Sequence, residues 1–200
     1  MNARASLPPG YFEALYAADP DPWRFATSDY ERGKYTATLA ALPRPRYAHA
    51  VEVGCSIGVL TAQLATRCDH LTAIDAAAAP LHEARRRCTA LPHVEFHHMA
   101  VPGAWPPGDF DLILLSEVVY YLDLPDLRRL AGRVEASLRP GGDLLLVHWT
   151  GETDYPLPGD AAAEAFLAAC PFAPVLCQSR AEGYRLDLLR HRGNNGTVLA

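Results

Sequence analysis

One glycine-bearing turn constrains the fold of this chain more than any other segment. Residues 51–58 read Val-Glu-Val-Gly-Cys-Ser-Ile-Gly, and Asp75 stands at the end of the next apolar run. An apolar strand that breaks into such a turn and then a helix, with an acid after the following strand, is typical of an α/β sheet that holds a nucleoside. The turn lets the backbone approach the ligand, and the acid accepts hydrogen bonds from the ribose. The sequence therefore predicts a nucleoside cofactor.

The glycine spacing separates two classes of cofactor. A dinucleotide fingerprint places its first and third glycines five residues apart, as in G-x-G-x-x-G. Gly54 and Gly58 are only four apart. The spacing disfavours an NAD-linked oxidoreductase, which stays open as an alternative of a different class.

Composition predicts one globular domain without a nucleic-acid surface. The chain has 200 residues, of which 50% are hydrophobic, enough for a substantial core. Its formal charge of −5 argues against a polyanion-binding face. The one dense basic run, Arg85-Arg86-Arg87, falls in a predicted helix, where a solvated face is the simpler interpretation.

Cysteine usage and hydropathy predict a cytoplasmic protein. The five cysteines include no C-x-x-C pair, so neither a disulfide framework nor a metal site is indicated. No apolar stretch is long enough for a membrane span, and residues 1–10 lack the apolar core of a signal peptide. Asn195-Gly196-Thr197 matches a glycosylation acceptor, which has no role without a secretory route. The sequence does not indicate an oligomeric state.

Strands and helices alternate along the chain, which predicts an α/β fold. The expected sheet is Rossmann-like, doubly wound, seven-stranded and mostly parallel, with an antiparallel final strand. Asp160 is the expected N-cap of the last helix. The predicted strands are 49–54, 71–75, 94–99, 111–116, 143–149, 175–180 and 184–190, and the predicted helices are 59–67, 80–91, 124–138 and 160–169.

An aromatic extension precedes the alternating region. Residues 1–10 are expected to be disordered, and a helix is expected over 30–42, closed by two prolines. The predicted organisation is an N-terminal helical lid over 1–46, the α/β domain over 47–190 and a flexible tail over 191–200.

At the level of the whole α/β region, the chain resembles the class I S-adenosylmethionine (SAM) methyltransferases. The resemblance covers residues 47–190, and its landmarks fall in the family's order. They are Glu52-x-Gly54-x-Ser56-x-Gly58, with serine at the middle glycine of E-x-G-x-G-x-G; Asp75; Ser116-Glu117; and Leu138-Arg139-Pro140-Gly141-Gly142. The resemblance implies SAM as cofactor and S-adenosylhomocysteine (SAH) as product.

A narrower resemblance points to the NodS-like branch of that family, named for a nodulation N-methyltransferase. It implies methylation of a saccharide or other small amine, such as the free amine of a de-N-acetylated chitooligosaccharide. The segments that carry it are 11–16 (Tyr-Phe-Glu-Ala-Leu-Tyr), 21–25 (Asp-Pro-Trp-Arg-Phe), 28–35 (Ser-Asp-Tyr-Glu-Arg-Gly-Lys-Tyr), 148–149 (His-Trp) and 155–160 (Tyr-Pro-Leu-Pro-Gly-Asp).

The resemblance assigns the cofactor site residue by residue. The turn would hold the methionyl portion, Asp75 would bind the ribose hydroxyls, and the segment after the third strand would contact adenine. Glu52, a carboxylate inside an apolar strand, would order backbone amides or bind the SAM amino group. The expected cofactor residues of the α/β domain are Glu52, Gly54, Cys55, Ser56, Gly58, Asp75, Ala76, Met99, Ala100 and Ser116.

Three residues of the extension are expected to complete the cofactor site. Aromatic faces attract a sulfonium cation, so Trp23 or Tyr30 would form part of the wall. Arg32 would pair with the SAM carboxylate, which a guanidinium matches with two hydrogen bonds.

Catalytic and substrate residues are expected at the carboxyl ends of the strands. An amine must be neutral to attack, and His148 at the end of the fifth strand is the candidate base. Glu117 is the candidate for binding a cationic amine. The substrate candidates are Tyr120, Tyr121, Tyr155 and Asp160.

Two further alternatives remain within SAM-binding proteins. O-methylation of a small metabolite would use His148 as base for a hydroxyl group. A SAM-binding protein without transferase activity would retain the cofactor motifs alone.

Overall fold

The computed structural model describes residues 5–193, and its centre is the predicted seven-stranded sheet. The strand order is β3-β2-β1-β4-β5-β7-β6, and only β7 runs antiparallel to its neighbours. The strands are β1 Tyr47–Val53, β2 Cys68–Asp75, β3 Val94–His98, β4 Phe110–Ser116, β5 Leu138–Trp149, β6 Val175–Ala181 and β7 Tyr184–Arg190. The predicted fold class is confirmed.

Six α-helices of residues 5–193 cover the sheet. Two of them begin at side-chain caps, because Ser28 accepts from the Glu31 N–H and Asp123 accepts from the Asp126 N–H. The helices are α1 Pro9–Ala18, α2 Asp29–Ala41, α3 Val59–Leu64, α4 Ala79–Arg87, α5 Leu124–Ser137 and α6 Gly159–Ala168, with 3₁₀ turns at Ala65–Arg67 and Val119–Tyr121.

Three local expectations were wrong. Pro158, not Asp160, occupies the N-cap position of α6. Strand β5 begins at Leu138 and not at residue 143, because Leu138 pairs with Phe110 of β4 before a β-bulge. Helix α1 begins within the segment expected to be disordered, and the Leu7 N–H donates to the Tyr121 carbonyl at 2.8 Å.

The structure describes only part of the predicted terminal segments. Residues 1–4 and 194–200, including the Asn195–Thr197 acceptor, lie outside the described residues. Within the predicted tail, the His191 N–H donates to the Gly142 carbonyl and the Arg192 N–H to the Phe172 carbonyl. The chain is therefore still attached to the domain at residue 192.

Strand order locates the site. From β1 the chain winds outward through β2 and β3, then returns to place β4 on the other side of β1. The carboxyl ends of β1 and β4 are thus the topological switch point, where open α/β sheets bind ligands. Both strands are almost wholly buried, as a central parallel strand must be.

The N-terminal extension packs onto the domain above this point. Tyr16 of α1 belongs to a small apolar cluster with Ile57 and Ala77, and Tyr35 of α2 belongs to a larger cluster that includes residues of β1, β4 and β5. Within residues 5–193, no helix is long and apolar enough to cross a membrane.

Candidate functional site

A cavity of about 320 Å³ opens at the carboxyl ends of β1, β2 and β4. Its volume lies at the lower end of the range for small-molecule sites. Eight of the expected cofactor residues line it: Trp23, Gly54, Ser56, Asp75, Ala76, Met99, Ala100 and Ser116. We call this space the cofactor cavity.

The glycine turn has the backbone geometry that its sequence predicts. Gly54 has φ +84° and Gly58 has φ +77°, a region that side chains other than glycine rarely adopt. A Cβ on Gly54 would lie 2.7 Å from the Ser116 carbonyl oxygen, and one on Gly58 would lie 2.9 Å from Ala84 Cα. Close packing of protein on protein therefore requires both glycines, and Gly58 does not line the cofactor cavity.

Asp75 is positioned to receive a diol. Its Oδ2 accepts the Ser56 N–H at 2.8 Å, and its Oδ1 accepts the Ala77 N–H at 2.9 Å. Burial raises its pKa to about 6, although both backbone hydrogen bonds oppose that rise. Each carboxylate oxygen accepts about two hydrogen bonds, so each keeps one site for a ribose hydroxyl.

Glu52 supplies a buried acceptor without a partner. Its Oε2 has no hydrogen-bond partner among the described residues, and burial raises its pKa to about 7. It borders a recess of about 20 Å³ that Cys55 and Glu31 also line. Such a recess accommodates one small polar group, and an unpartnered carboxylate oxygen fits the amino group of SAM.

Ser56, the residue that replaces the family's glycine, contacts the extension. Its side chain is within hydrogen-bond distance of the Tyr16 hydroxyl, at 2.5 Å. Residues 54–58 also spell Gly-x-Ser-x-Gly, the pattern of a hydrolase nucleophile. Because the partner of this serine is a tyrosine whose pKa burial raises further, Ser56 is not activated as a nucleophile.

The three expected residues of the extension have different surroundings. Trp23 lines the cofactor cavity and stacks on Phe25, with ring centroids 5.5 Å apart. Tyr30 does not line this cavity. The Arg32 side chain is 66% exposed and pairs with Asp29, so the structure does not bring it to the site.

A second cavity of about 360 Å³ lies beside the first. Three of the expected substrate residues line it, namely Tyr120, Tyr121 and Tyr155, together with Tyr30. The two cavities share Trp23, Phe25, Glu117 and Tyr121 in their walls. We call the second space the acceptor cavity.

The fourth expected substrate residue, Asp160, lies elsewhere. Its carboxylate binds Arg180 and Arg185 at 2.8 to 3.0 Å, which ties α6 to the β6–β7 hairpin. It lines neither cavity. The physical reason is its position in the first turn of α6, on the hairpin side of the helix.

Glu117 stands where the two cavities meet. Its Oε1 pairs with Lys34 Nζ at 2.5 Å, and its Oε2 accepts the Tyr120 hydroxyl at 2.6 Å and the Trp149 N–H at 2.8 Å. Burial alone would raise its pKa, but the charge of Lys34 and the hydrogen bonds from Lys34 and Tyr120 outweigh burial and lower it. The carboxylate is ionised and held in one orientation.

His148 is not at the surface of either cavity. Its side chain is fully buried, and its Nε2 accepts the N–H groups of Val118 and Val119 at 3.2 and 3.1 Å. Burial lowers its pKa to about 4. The geometry opposes the expected role as general base, since Nε2 is engaged and Nδ1 is buried. What His148 does in this structure is hold the turn that follows Glu117.

Several site residues were not anticipated. Phe12, Tyr16 and Phe25 line the cofactor cavity, and Lys34 lines the acceptor cavity. The resemblance quoted their segments, but nothing in the pattern indicated which side chains face inward. Asp126 of α5 also lines the cofactor cavity.

The described part of the chain contains no candidate metal site. No group of three or more His, Cys, Asp or Glu side chains there is arranged to hold a metal ion.

The fold and the site together define a class of protein. A β3-β2-β1-β4-β5-β7-β6 sheet, a glycine turn after β1 and a buried acid at the end of β2 are the features of the class I SAM-dependent methyltransferases. Structural similarity agrees with this. NodS from Bradyrhizobium japonicum WM9, an N-methyltransferase solved with SAH, matches with TM-score 0.78 and 25% identity, over 91% of this chain and 97% of that one.

Sequence comparison places the chain more narrowly. The family model described as nodulation protein S (NodS) matches residues 13–147. Nodulation protein S of Rhizobium tropici is 37% identical over 64% of this chain and 55% of its own length. A methyltransferase structure from Pseudomonas syringae is 41% identical with TM-score 0.69, over 81% of this chain and 99% of that one. The chain belongs to the NodS family.

The match to the curated relatives is partial in length. The chain spans between 55% and 61% of the three nodulation S proteins that it matches.

Proposed function

We propose that this protein is a SAM-dependent N-methyltransferase that acts on a small primary amine, with an amino sugar as the substrate class to test first. One observation carries the proposal: the ionised carboxylate of Glu117 stands where the cofactor cavity and the acceptor cavity meet. A carboxylate at that point suits an acceptor whose nitrogen is cationic on arrival.

The cofactor would lie along the switch point. Asp75 would bind the ribose hydroxyls, Glu52 the amino group, and Trp23 would contribute an aromatic face near the sulfonium. When bound, SAM supplies a methyl group that an amine lone pair takes in line, as the carbon–sulfur bond breaks and its electron pair stays on sulfur.

The protein's contribution would be alignment and removal of water. Glu117 would orient the amine, and the aromatic walls of the acceptor cavity would pack against the carbon skeleton of the substrate. The proton that the ammonium group loses before attack would leave to solvent through the acceptor cavity. No step requires His148, which reaches neither cavity.

The charged groups that line the acceptor cavity favour an amine acceptor over a hydroxyl acceptor. Four charged groups line the acceptor cavity, the carboxylates of Glu31, Glu117 and Glu152 and the ammonium of Lys34. O-methylation would need a base to ionise the hydroxyl, and carboxylates near the acceptor oppose an alkoxide.

The test measures SAH release with defined acceptors. Purified protein and SAM are incubated with glucosamine or with de-N-acetylated chitobiose, and the matched controls are N-acetylglucosamine and catechol. We expect turnover with the free amines alone and a product that gains one N-methyl group by mass spectrometry. Glu117→Gln should lower turnover at least about 100-fold, since a charged contact is worth a few kcal/mol.

Three outcomes would contradict the proposal. Turnover with catechol but not with amines would establish O-methylation. SAH binding by calorimetry without turnover on any acceptor would indicate a binding protein. Tight NADH binding without SAH binding would indicate an oxidoreductase.

A further inference from the structure

Lys34 is a buried cation at the junction of the two cavities, and the sequence pattern did not single it out. Its side chain is 3% exposed and lies on α2, one turn after Glu31. Nζ is 3.0 Å from Glu31 Oε1 and 2.5 Å from Glu117 Oε1. It also lies 5.3 Å from the centroid of the Tyr30 ring. A single ammonium thus joins the N-terminal extension to the end of β4.

The free-energy cost of burying the three charged groups Glu31, Lys34 and Glu117 is high for a contact that only joins two elements. Removing ions from water costs several kcal/mol each, and apolar residues of similar volume often stabilise a protein as well or better. Packing alone therefore does not account for Lys34. The group borders the place where an acceptor nitrogen would meet the methyl donor, which suggests a functional reason.

The hydrogen bonds of Glu117 show what Lys34 controls. A carboxylate has about four acceptor sites, two on each oxygen. Tyr120 and Trp149 occupy both sites on Oε2, and Lys34 occupies one site on Oε1. Among the described residues, this leaves one acceptor site, on the oxygen that Lys34 orients.

We propose that Lys34 is a positioning residue for methyl transfer, which holds Glu117 ionised and turned so that the remaining Oε1 site receives the acceptor amine. The inference rests on the proposed function, because it assigns the amine to that site. Glu31 in turn holds Lys34. Two carboxylates and one ammonium give the group a net charge of −1, which one cationic amine neutralises.

Several titratable groups lie close enough to Glu117 to influence its pKa. Burial lowers the pKa of Lys34, but the two carboxylates outweigh burial and raise it, so Lys34 stays charged. The titratable groups that face Glu117 are Glu31, Lys34, Tyr30 and Tyr35 from α2, Tyr120 and Tyr121 from the turn after β4, and His148 from β5.

The first test does not depend on activity. The protein is labelled with carbon-13 at the glutamate carboxyl groups, the Glu117 signal is assigned by its loss in Glu117→Gln, and its titration is followed in wild type, Lys34→Met and Lys34→Arg. We expect the midpoint to rise by at least about one pH unit in Lys34→Met, because an adjacent cation lowers a carboxyl pKa by 1–3 units. Lys34→Arg should keep the wild-type midpoint. An unchanged midpoint in Lys34→Met overturns the proposal.

The second test separates positioning from stability. With glucosamine as acceptor, we expect Lys34→Met to lower kcat/KM at least about 30-fold and to move the acidic limb of its pH profile upward. Its Kd for SAH should stay within about threefold of wild type, and Lys34→Arg should recover most of the activity. A lower melting temperature with an unchanged pH profile would make Lys34 structural only and overturn the proposal.

Misfolding of Lys34→Met and a lack of amine methylation by wild type are two further possible outcomes. If Lys34→Met does not fold, Lys34→Gln takes its place, because it keeps a donor and loses only the charge. If wild type methylates no amine, the proposed function fails and the amine assignment fails with it. The carbon-13 titration then still decides whether Lys34 holds Glu117 ionised.

Discussion

At the scale of single residues, the departure at Ser56 has a structural meaning. The residue has φ +48°, a conformation that glycine adopts more easily than serine. Unlike glycine, serine has a hydroxyl group, which here forms a hydrogen bond with Tyr16 of α1. Ser56 therefore links two parts of the cofactor cavity, because its N–H donates to Asp75 and its hydroxyl bonds to Tyr16 of α1.

This contact predicts a coupling between α1 and the cofactor. We expect Tyr16→Phe to weaken SAH binding about fivefold, since a hydrogen bond contributes about 1 kcal/mol net. In a Ser56→Gly background the same change should have no effect, because the partner hydroxyl is already gone. Calorimetric titration of the four proteins measures this, and equal losses in both backgrounds would show that the contact is irrelevant to binding.

His148, the residue expected to act as the base, has a buried side chain instead, and its burial affects stability. Its ordinary pKa is 6.5 and its folded value is about 4. Between these values the unfolded chain binds a proton and the folded protein does not. Unfolding therefore becomes easier as the pH falls through that window.

We expect this loss of stability to disappear in His148→Gln, whose amide oxygen still accepts the N–H groups after Glu117. The unfolding free energy of wild type relative to the variant should decline by up to about 1.4 kcal/mol per pH unit from pH 6.5 toward pH 4. Denaturant unfolding at several pH values measures the difference. Turnover of the variant should stay within about tenfold of wild type, and its abolition would restore His148 as the base.

At the scale of elements, the β6–β7 hairpin is held by charge. Arg185 is buried between Asp187, at 2.8 Å, and Asp160 of α6, at 3.0 Å. Asp160 is thus a link between a helix and a hairpin, whereas the sequence suggested a substrate contact. Within the segment 155–160 that resembles the NodS branch, Asp160 therefore has a structural contact, whereas Tyr155 lines the acceptor cavity.

Asp160→Asn tests that interpretation. The Asp160 side chain is 46% exposed, so solvent screening limits the value of its ion pairs to about 1 kcal/mol or less. We expect the melting temperature to fall by a few degrees at most, with KM for the amine unchanged. A raised KM at unchanged stability would return Asp160 to the substrate site.

At the scale of the whole molecule, the extension and the sheet enclose one continuous site. Residues of α1 and of the loop before α2 line the cofactor cavity, and residues of that loop and of α2 line the acceptor cavity. Residues at and after the strand ends form the opposite side of each cavity. A ligand in the cofactor cavity would touch both sides. Its binding energy would then stabilise the closed arrangement of the extension.

Limited proteolysis measures this effect. The side chain of Arg24 is 71% exposed and lies between Trp23 and Phe25, which both line the cofactor cavity. We expect saturating SAH to slow tryptic cleavage after Arg24 at least about tenfold, since cleavage requires local opening. Cleavage after Arg86 of α4, whose side chain is 70% exposed and lines neither cavity, is the control. Equal protection at both sites would indicate global stabilisation only.

Local patterns were sufficient for the fold because they depend on few residues. The alternation of strands and helices, the glycine spacing and Asp75 identified the sheet, its final antiparallel strand and the class of cofactor. Element ends were less accurate, as at Leu138 and Asp160, because pairing partners and caps come from distant segments. Predicted site residues of both regions line the cavities, among them Asp75 and Glu117 at the strand ends and Trp23 and Tyr30 in the extension.

What the sequence by itself determined was therefore the class of fold and the NodS-like resemblance, since the turn after β1 uses contiguous residues whose conformations are nearly independent of the rest. What only the tertiary structure decided was which side chains face the site. Arg32 and Lys34 are two residues apart, yet one is in solvent and the other is buried against Glu117. The reason is that orientation around a helix becomes meaningful only once the packing of that helix is known.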